Sequence, residues 1–541
     1  MVPEALRDPE TDPLATLVLE PELLADLVRR ARATGGQVTH HAPWTGAPLA
    51  TLPQSTAADL AAAARSARAA QRRWARTDHR TRARALRRTA DLLLSRQSDV
   101  LDLIQLENGK ARAAALEEIT DVVLGARFLA RQAGRLLAAD RRPGLLGPLT
   151  AVRVSHDPAG VVAVVAPWNY PLSLTLGDVL PALAAGNAVL LRPDPQTPLT
   201  ALWAAELLVD AGFPEELVQV VLGDGPTVGD RLIDHADHVL FTGSTATGRM
   251  VAARAGAELV PSTLELGGKN ALYVADDADP ELAAEGAVRA CFGGTGQLCM
   301  SVERLYLHRA IAGEFLTAFR RRVRALRLGT GLDYGYDLGS LTGAEQLARV
   351  VEHVEDALSS GARLLTGGTQ RPEIGPYAYE PTVLTEVSPH ARLSTEETFG
   401  PVVAVYEVAS DDEAVAAIND TRYGLHAAVW SGSTRRGRAV ADRLRVGSVD
   451  VNDGYQMSWG SWAAPQGGRG ESGWGARHGA EGLLALTRSR TVAVQRAVHR
   501  GLGPGQLLSG PPEQWAPAVL AGLRVLSGPR PAPGRRPPAA G

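Results

Sequence analysis

Two periods divide the chain. Alanine- and leucine-rich runs between residues 56 and 138 predict helices over 56–77, 80–107 and 111–138. Thr56 with Asp59 three positions on is a capping-box pattern that starts the first of them. From Leu149 the period shortens. Thr150 to His156 alternates as a strand does, and Gly160 to Ala166 is an unbroken apolar run, as in a strand covered on both faces. Helices over 172–185 and 199–211 then alternate with strands over 188–192, 218–222 and 238–242, with a helical turn over 225–236. Strand–helix–strand repetition of this kind predicts a parallel sheet with right-handed crossovers, a Rossmann-like unit. A second α/β unit follows Glu265, with strands near 271–274, 303–308, 378–385, 402–408 and 427–430 and helices near 280–292, 311–325, 343–359 and 411–419. Residues 465–482 are Gly-rich and read as a structured loop, and 487–494 alternate again as a lone strand. The leader, 1–35, carries one helical stretch near 20–33. The Pro/Gly-rich tail, 501–541, allows one short helix over 515–526 that Pro517 limits to its first turn, and its last dozen residues read as disordered.

Composition narrows the class. With 541 residues, 45% hydrophobic and 21% charged, the chain reads as an ordinary globular protein of two or three domains. A formal net charge of −3 argues against a nucleic-acid partner. The arginines from Arg65 to Arg88 read as a solvated helix face interspersed with acids. No apolar run approaches the ~20 residues of a membrane span, and the N-terminus lacks the apolar core of a signal peptide. Only Cys291 and Cys299 occur, too few for a disulfide framework and consistent with a reducing, cytoplasmic location. Lysine occurs only at Lys110 and Lys269.

Candidate chemistry centres on Cys291 to Arg304. Gly293, Gly294 and Gly296 allow a tight turn close to a ligand, and Cys299 at its mouth is placed either as a small core residue or as a nucleophile. Asn169 directly follows the buried strand, where ligands sit in α/β sheets. Its neutral amide suits an oxyanion site. Glu265 lies between leucines and glycines, so poor solvation should raise its pKa toward that of a general base.

Five stretches in order resemble the aldehyde dehydrogenase superfamily from about residue 38 to about 496: Pro167-Trp168-Asn169-Tyr170-Pro171, Phe241-Thr242-Gly243-Ser244, Leu264-Glu265-Leu266-Gly267-Gly268-Lys269, Gly296-Gln297-Leu298-Cys299 and Glu397-Thr398-Phe399-Gly400-Pro401. The resemblance implies an α/β fold with a Rossmann-like coenzyme domain (38–138 and 157–264), an α/β catalytic domain (265–483) and a small β oligomerisation ribbon (139–156 and 484–500), between a leader (1–37) and a tail (501–541). It implies Cys299 as nucleophile, Glu265 as the base that activates water, and Asn169 as oxyanion donor. Trp168, Arg192, Asp194, Gly243, Ser244, Gly248, Glu397 and Phe399 correspond to coenzyme ligands. No metal site is implied. The coenzyme is expected to be NADP, with NAD possible, because Pro195 stands where the family has the carboxylate that selects NAD. The partner is a small aldehyde, and the assembly a homodimer or homotetramer. Arg371-Pro-Glu-Ile-Gly-Pro, Tyr379-Glu-Pro-Thr-Val-Leu and Gly475-Ala-Arg-His-Gly-Ala-Glu-Gly-Leu are similar to the NADP-dependent branch that oxidises succinate semialdehyde. Trp459 and Trp462, where the family walls its substrate tunnel, suit an apolar or aromatic aldehyde equally. A coenzyme-A-acylating enzyme and a silent scaffold are the rival readings. Glu265 argues against the first, and the intact Asn169, Glu265 and Cys299 set against the second.

Overall fold

The structure, a computed structural model, describes residues 19, 21–144, 150–496 and 509–527. Among these, four sheets form. The chain divides into two compact units, one drawn from residues 1–137 and 158–488, the other from 138–157 and 489–541.

The six-stranded sheet of the larger unit runs, in space, Gly473–Trp474, Ser262–Glu265, His238–Thr242, Val161–Ala166, Ala188–Pro193, Val218–Val220. All its pairings are parallel except that of the short Gly473–Trp474 strand. From Val161–Ala166 the chain winds outward to one side and then returns to build the other. The switch point therefore lies between Val161–Ala166 and His238–Thr242, where the carboxyl ends of parallel strands leave a crevice. Both strands are buried throughout, as the unbroken apolar run requires. Asn169 follows the first, and Gly243 and Ser244 follow the second.

The seven-stranded sheet runs Arg363–Thr366, Thr382–Thr385, Val402–Val408, Val302–His308, Asn270–Val274, His426–Trp430, Ser448–Val451. It is parallel except for the first edge strand. Residues 266–269 join the two sheets, so Glu265 ends a strand of one and Asn270 begins a strand of the other.

Most predicted elements form within a few residues of their expected bounds, and the differences have local causes. The capping box at Thr56 and Asp59 closes reciprocally, at 3.2 and 2.8 Å. The single helix expected over 80–107 is two, His79–Ser95 and Gln97–Asn108. Arg96 leaves helical geometry at φ −111°, ψ 22°, pairs with Asp210, and re-aims the second helix into the core. An antiparallel hairpin, Gln37–His41 with Pro48–Pro53, was not predicted, because its alternation is too short to stand out. In the smaller unit the expected two-stranded ribbon is a three-stranded sheet. Thr487–Gln495 is no lone strand but pairs beside Thr150–Pro158, which in turn pairs with Asp140–Arg142. In the tail the helix spans Pro512–Ser527 with Pro517 inside it, an earlier start than predicted. The expectation of disorder over the last dozen residues, and most of the leader, lie outside the described residues.

Candidate active site

A 440 Å³ cavity opens where the carboxyl ends of the six-stranded sheet meet the amino ends of the seven-stranded sheet. Trp168, Asn169, Gly243, Ser244, Glu265, Cys299, Glu397 and Phe399 all line it. Eight of the eleven positions singled out from the sequence thus converge, from five separate stretches.

Backbone geometry presents Cys299. Gly294, Thr295 and Gly296 all take left-handed φ, at 57°, 60° and 69°. At Gly296 glycine is required on two grounds: the positive φ, and a Cβ that would lie 2.1 Å from the Gly400 carbonyl oxygen. That approach locks the Cys299 loop to the loop carrying Glu397 and Phe399. Thr295 tolerates its strained backbone because its hydroxyl bonds both Gly339 C=O and Gly339 N–H, at 3.3 and 3.2 Å. The Cys299 side chain is partly exposed, while Cys291 is fully buried. Burial, then the carboxylates of Glu265 and Glu397, push the Cys299 thiol up to about 12.

Asn169 is 4% exposed, and its side-chain amide donates to the Gln297 carbonyl at 3.0 Å, two residues before Cys299. One amide hydrogen is thereby fixed on the Cys299 loop, leaving the other for a ligand atom. Glu265 is 8% exposed, and its Oε1 is buried without a hydrogen-bond partner. Burial pushes its carboxyl up to about 8, against the pull of Arg477. An unpartnered buried carboxyl oxygen in a cavity that also holds a thiol is the arrangement expected of a proton acceptor for a ligand or water.

On the other side of the cavity, Glu397 accepts from the Gly268 N–H at 2.8 Å, and burial raises it to about 8. Phe399 sits at φ 57° and meets Trp168 edge-on, ring centroids 5.5 Å apart. Buried Glu303 holds that strained backbone by accepting the N–H groups of Thr398 and Phe399 at 2.9 Å, and Lys269 pairs with Glu303. Glu396 turns away, to Arg392 at 3.0 Å. Ser244 caps the helix Thr245–Ala257, accepting from Thr247 N–H at 3.2 Å.

Three positions stand apart. Gly248 does not line the cavity. Its N–H already bonds Ser244 C=O at 2.8 Å, and a Cβ there would strike Leu266 at 2.4 Å, so this glycine serves helix packing. Arg192 is buried, donates from Nε to Gly223 C=O at 2.9 Å, and lies outside the cavity lining. Asp194 accepts from Gln196 N–H at 2.9 Å, which turns its carboxylate back on its own turn.

Sequence reasoning missed Gln196, Thr342 and Arg349 on the cavity wall, and missed Arg477. Arg477 pairs with buried Asp178 at 2.5 Å and also bonds the Thr242 hydroxyl. It shares a narrow 40 Å³ recess with Cys299, Glu265, Met300, Leu425 and Trp459. The Gly-rich stretch gave no local signal for it, because its partners lie hundreds of residues away. Trp459 walls this recess, as expected. Trp462 does not. It is buried, stacked on His478 at 3.8 Å, and donates to Asp121 at 2.8 Å.

Residues 30–492 match the sequence model described as "Aldehyde dehydrogenase family". A protein of Mycobacterium tuberculosis named putative succinate-semialdehyde dehydrogenase (NADP+) 2 is 48% identical over 493 residues, 91% of this chain and 94% of that one. The succinate semialdehyde dehydrogenase of Acinetobacter baylyi is 36% identical over 394 residues, 72% and 80% of the two chains. Among solved structures, betaine aldehyde dehydrogenase of Staphylococcus aureus in complex with NAD+ superposes with a TM-score of 0.83 at 30% identity, covering 88% of this chain and 96% of that one.

Proposed function

The chain belongs to the aldehyde dehydrogenase family, and from that premise we propose that it oxidises succinate semialdehyde to the dicarboxylate with NADP+, at the cavity that holds Cys299, Glu265 and Asn169. The observation that carries the assignment of roles is the convergence on one cavity of a partly exposed thiol, a buried carboxyl with an unpartnered oxygen, and an amide tied to the thiol's own loop.

Cys299 releases its thiol proton to solvent and Sγ attacks the aldehyde carbon; the carbonyl oxygen gains the charge that Asn169 Nδ2 and the Cys299 N–H receive, and loss of hydride from that carbon leaves the thioester. A nicotinamide coenzyme, when bound, would supply the hydride acceptor and a positive charge to the cavity. The cavity fits such a group. The helix Thr245–Ala257 starts at its wall and suits a pyrophosphate, Arg349 adds a cation, and Glu397 and Phe399 match a ribose and a planar ring. Glu265 then takes a proton from water, which attacks the Cys299 thioester and releases the acid. The proximity of carboxylates that raise the thiol pKa fits this division of labour, since Glu265 is neutral below about pH 8 and does not then oppose the thiolate.

Support for the substrate is the name of the relatives. A second reading, an apolar or aromatic aldehyde, is favoured by the recess beside Cys299, walled by Leu174, Met300, Leu425 and Trp459. NADPH appearance with succinate semialdehyde against propanal and benzaldehyde tests the choice. A kcat/KM for succinate semialdehyde below that for both others overturns it.

The expectation for NADP rests on the names of the relatives and on the cation of Arg192, whose Nε is held by Gly223 C=O outside the cavity lining. Pro195 offers no side-chain acceptor to a ribose hydroxyl, and Asp194 turns its Oδ1 to Gln196 N–H. NADP should be used at least as well as NAD, and Arg192→Ala should cost NADP about 10- to 100-fold in kcat/KM, the value of a charge-assisted contact, while NAD changes little. A tenfold preference for NAD in the wild type, or equal losses for both coenzymes, defeats the argument.

Arg477 tunes the base. Its charge pulls the Glu265 carboxyl down, and Asp178 pushes it up. Arg477→Gln removes that pull. The pH at which turnover reaches half its plateau should therefore move upward from about 8, as a pH–kcat series would register.

Among the described residues no helix is long and apolar enough to cross a membrane. We assign the enzyme to the cytoplasm, where two free thiols are kept reduced. We assign the edges of the three-stranded sheet to a homodimer or homotetramer contact, since so small a sheet is marginal alone.

A further inference from the structure

Of the 56 lysines and arginines in this chain only two are lysine, Lys110 and Lys269. On a surface the two cations exchange freely, so a sequence this rich in arginine keeps lysine where an ammonium is required. Both lysines are 1% exposed, and each pairs with a buried glutamate.

The surroundings of Lys110 show why a guanidinium does not serve there. Its ammonium has three N–H donors and three recipients. Glu118 Oε1 lies at 2.7 Å, the main-chain carbonyl of Asn169 at 2.6 Å, and the Tyr170 ring centroid at 3.6 Å. A planar five-donor fork is larger, and in a fully buried site it would leave donors unpaired. Glu118 Oε2 accepts the N–H groups of Leu172 and Ser173 at 2.8 and 3.1 Å. Glu117, the neighbouring carboxylate, is turned to the Tyr455 and Tyr170 hydroxyls. The Lys110–Glu118 pair thus spans the turn from Asn169 to Ser173, holding its carbonyl on one side and the first amides of the helix Pro171–Ala185 on the other. Asn108 adds a bond from its amide to the Trp168 carbonyl at 2.9 Å.

We infer that Lys110, braced by Glu118, is a positioning residue for the reaction: it fixes the main chain of Asn169 so that the side-chain amide is aimed at the oxyanion. The inference rests on the reading of Asn169 as an oxyanion donor. Lys110 touches neither substrate nor coenzyme. Its effect should appear in the rate at which the carbonyl is attacked and oxidised, and not in coenzyme affinity.

Two variants test it. Lys110→Arg keeps the charge and changes the shape. The double variant Lys110→Met/Glu118→Leu removes both charges together, so no lone buried ion is left to unfold the chain. Rapid mixing with saturating NADP and succinate semialdehyde, or benzaldehyde if the first is not turned over, gives the rate constant of NADPH appearance. NADP affinity is read by fluorescence and folding by the melting temperature. A fall of about 10²-fold in the rate constant, with NADP affinity within about twofold, is expected for whichever variant keeps the wild-type melting temperature, as a displaced catalytic group requires. An unchanged rate constant in a folded variant overturns the inference, and so does a loss of NADP affinity in parallel with rate. Asn169→Ala separates the two claims. If it is slow while the Lys110 variants are fast, only the positioning role fails. If it is as fast as wild type, the oxyanion reading fails and takes the inference with it.

Discussion

Cys299→Ala should lose at least ~10⁴-fold in turnover while still binding NADP with near wild-type affinity, because it removes the only atom that bonds to the substrate and little else. The side chain is partly exposed at the cavity and makes no hydrogen bond that fixes the coenzyme wall. The Gly293–Gly296 turn is held by its own backbone, by Thr295 and by the Gly400 contact, so the loop should keep its shape without the sulfur. Cys291→Ala is the control. That thiol is fully buried, packed in the core under the seven-stranded sheet and outside the cavity lining, so no substrate reaches it. Its loss should lower stability modestly and leave kcat intact. Coenzyme fluorescence and steady-state rates on both variants decide the matter. A dead Cys291→Ala beside an active Cys299→Ala would reverse the assignment.

Glu265→Gln should give a single rapid turnover's worth of reduced coenzyme and then stall, with steady-state kcat down by about 10²–10⁴-fold, the usual contribution of a positioned base. Hydride leaves before water attacks, so the first step does not need this carboxylate and the second does. The same group sets a pH dependence whose sign follows from its raised pKa. Held at about 8, the carboxyl is protonated and unable to accept a proton at lower pH. Where deacylation limits the rate, kcat should rise about tenfold per pH unit below 8 and level above it. The slope should vanish in Glu265→Gln. Stopped-flow traces across pH provide both readings. A variant without a burst, or one whose steady state is undiminished, removes Glu265 from the role of base.

Much of this site was legible because its parts are short and lie where strands end. Asn169 after the apolar run to Ala166, and Gly243 and Ser244 after Thr242, could each be placed from a change of pattern in a few residues, whereas Glu265 was marked by its leucine and glycine neighbours and the strand Ser262–Glu265 that it ends was not expected. The glycines before Cys299 signalled a turn, and the turn is there. Apolar runs and strand–helix alternation sufficed for a parallel sheet, since only strands buried on both faces read that way. Gly248 shows the limit of motif spacing. It stands in the helix Thr245–Ala257, but its missing side chain makes room for Leu266.

What the sequence by itself determined, then, is the strand–helix alternation of two α/β units and, through the family resemblance, the five stretches that reach the cavity with the thiol, carboxyl and amide found there. Each of those depends on neighbours a few residues apart. Tertiary structure alone decided the electrical setting of those groups. Arg477 meets Asp178 from 299 positions away, Lys110 meets Asn169 from 59, and Glu303 reaches Thr398 from 95. It also decided that Trp462 is core and Trp459 is wall. The reason is physical. Burial and charge–charge distance exist only once the chain has closed on itself: the leucine and glycine flanks of Glu265 foretold the direction of its pKa, but the opposing charges of Arg477 and Asp178 and the aim of Asn169 belong to the fold and have no signature along the chain.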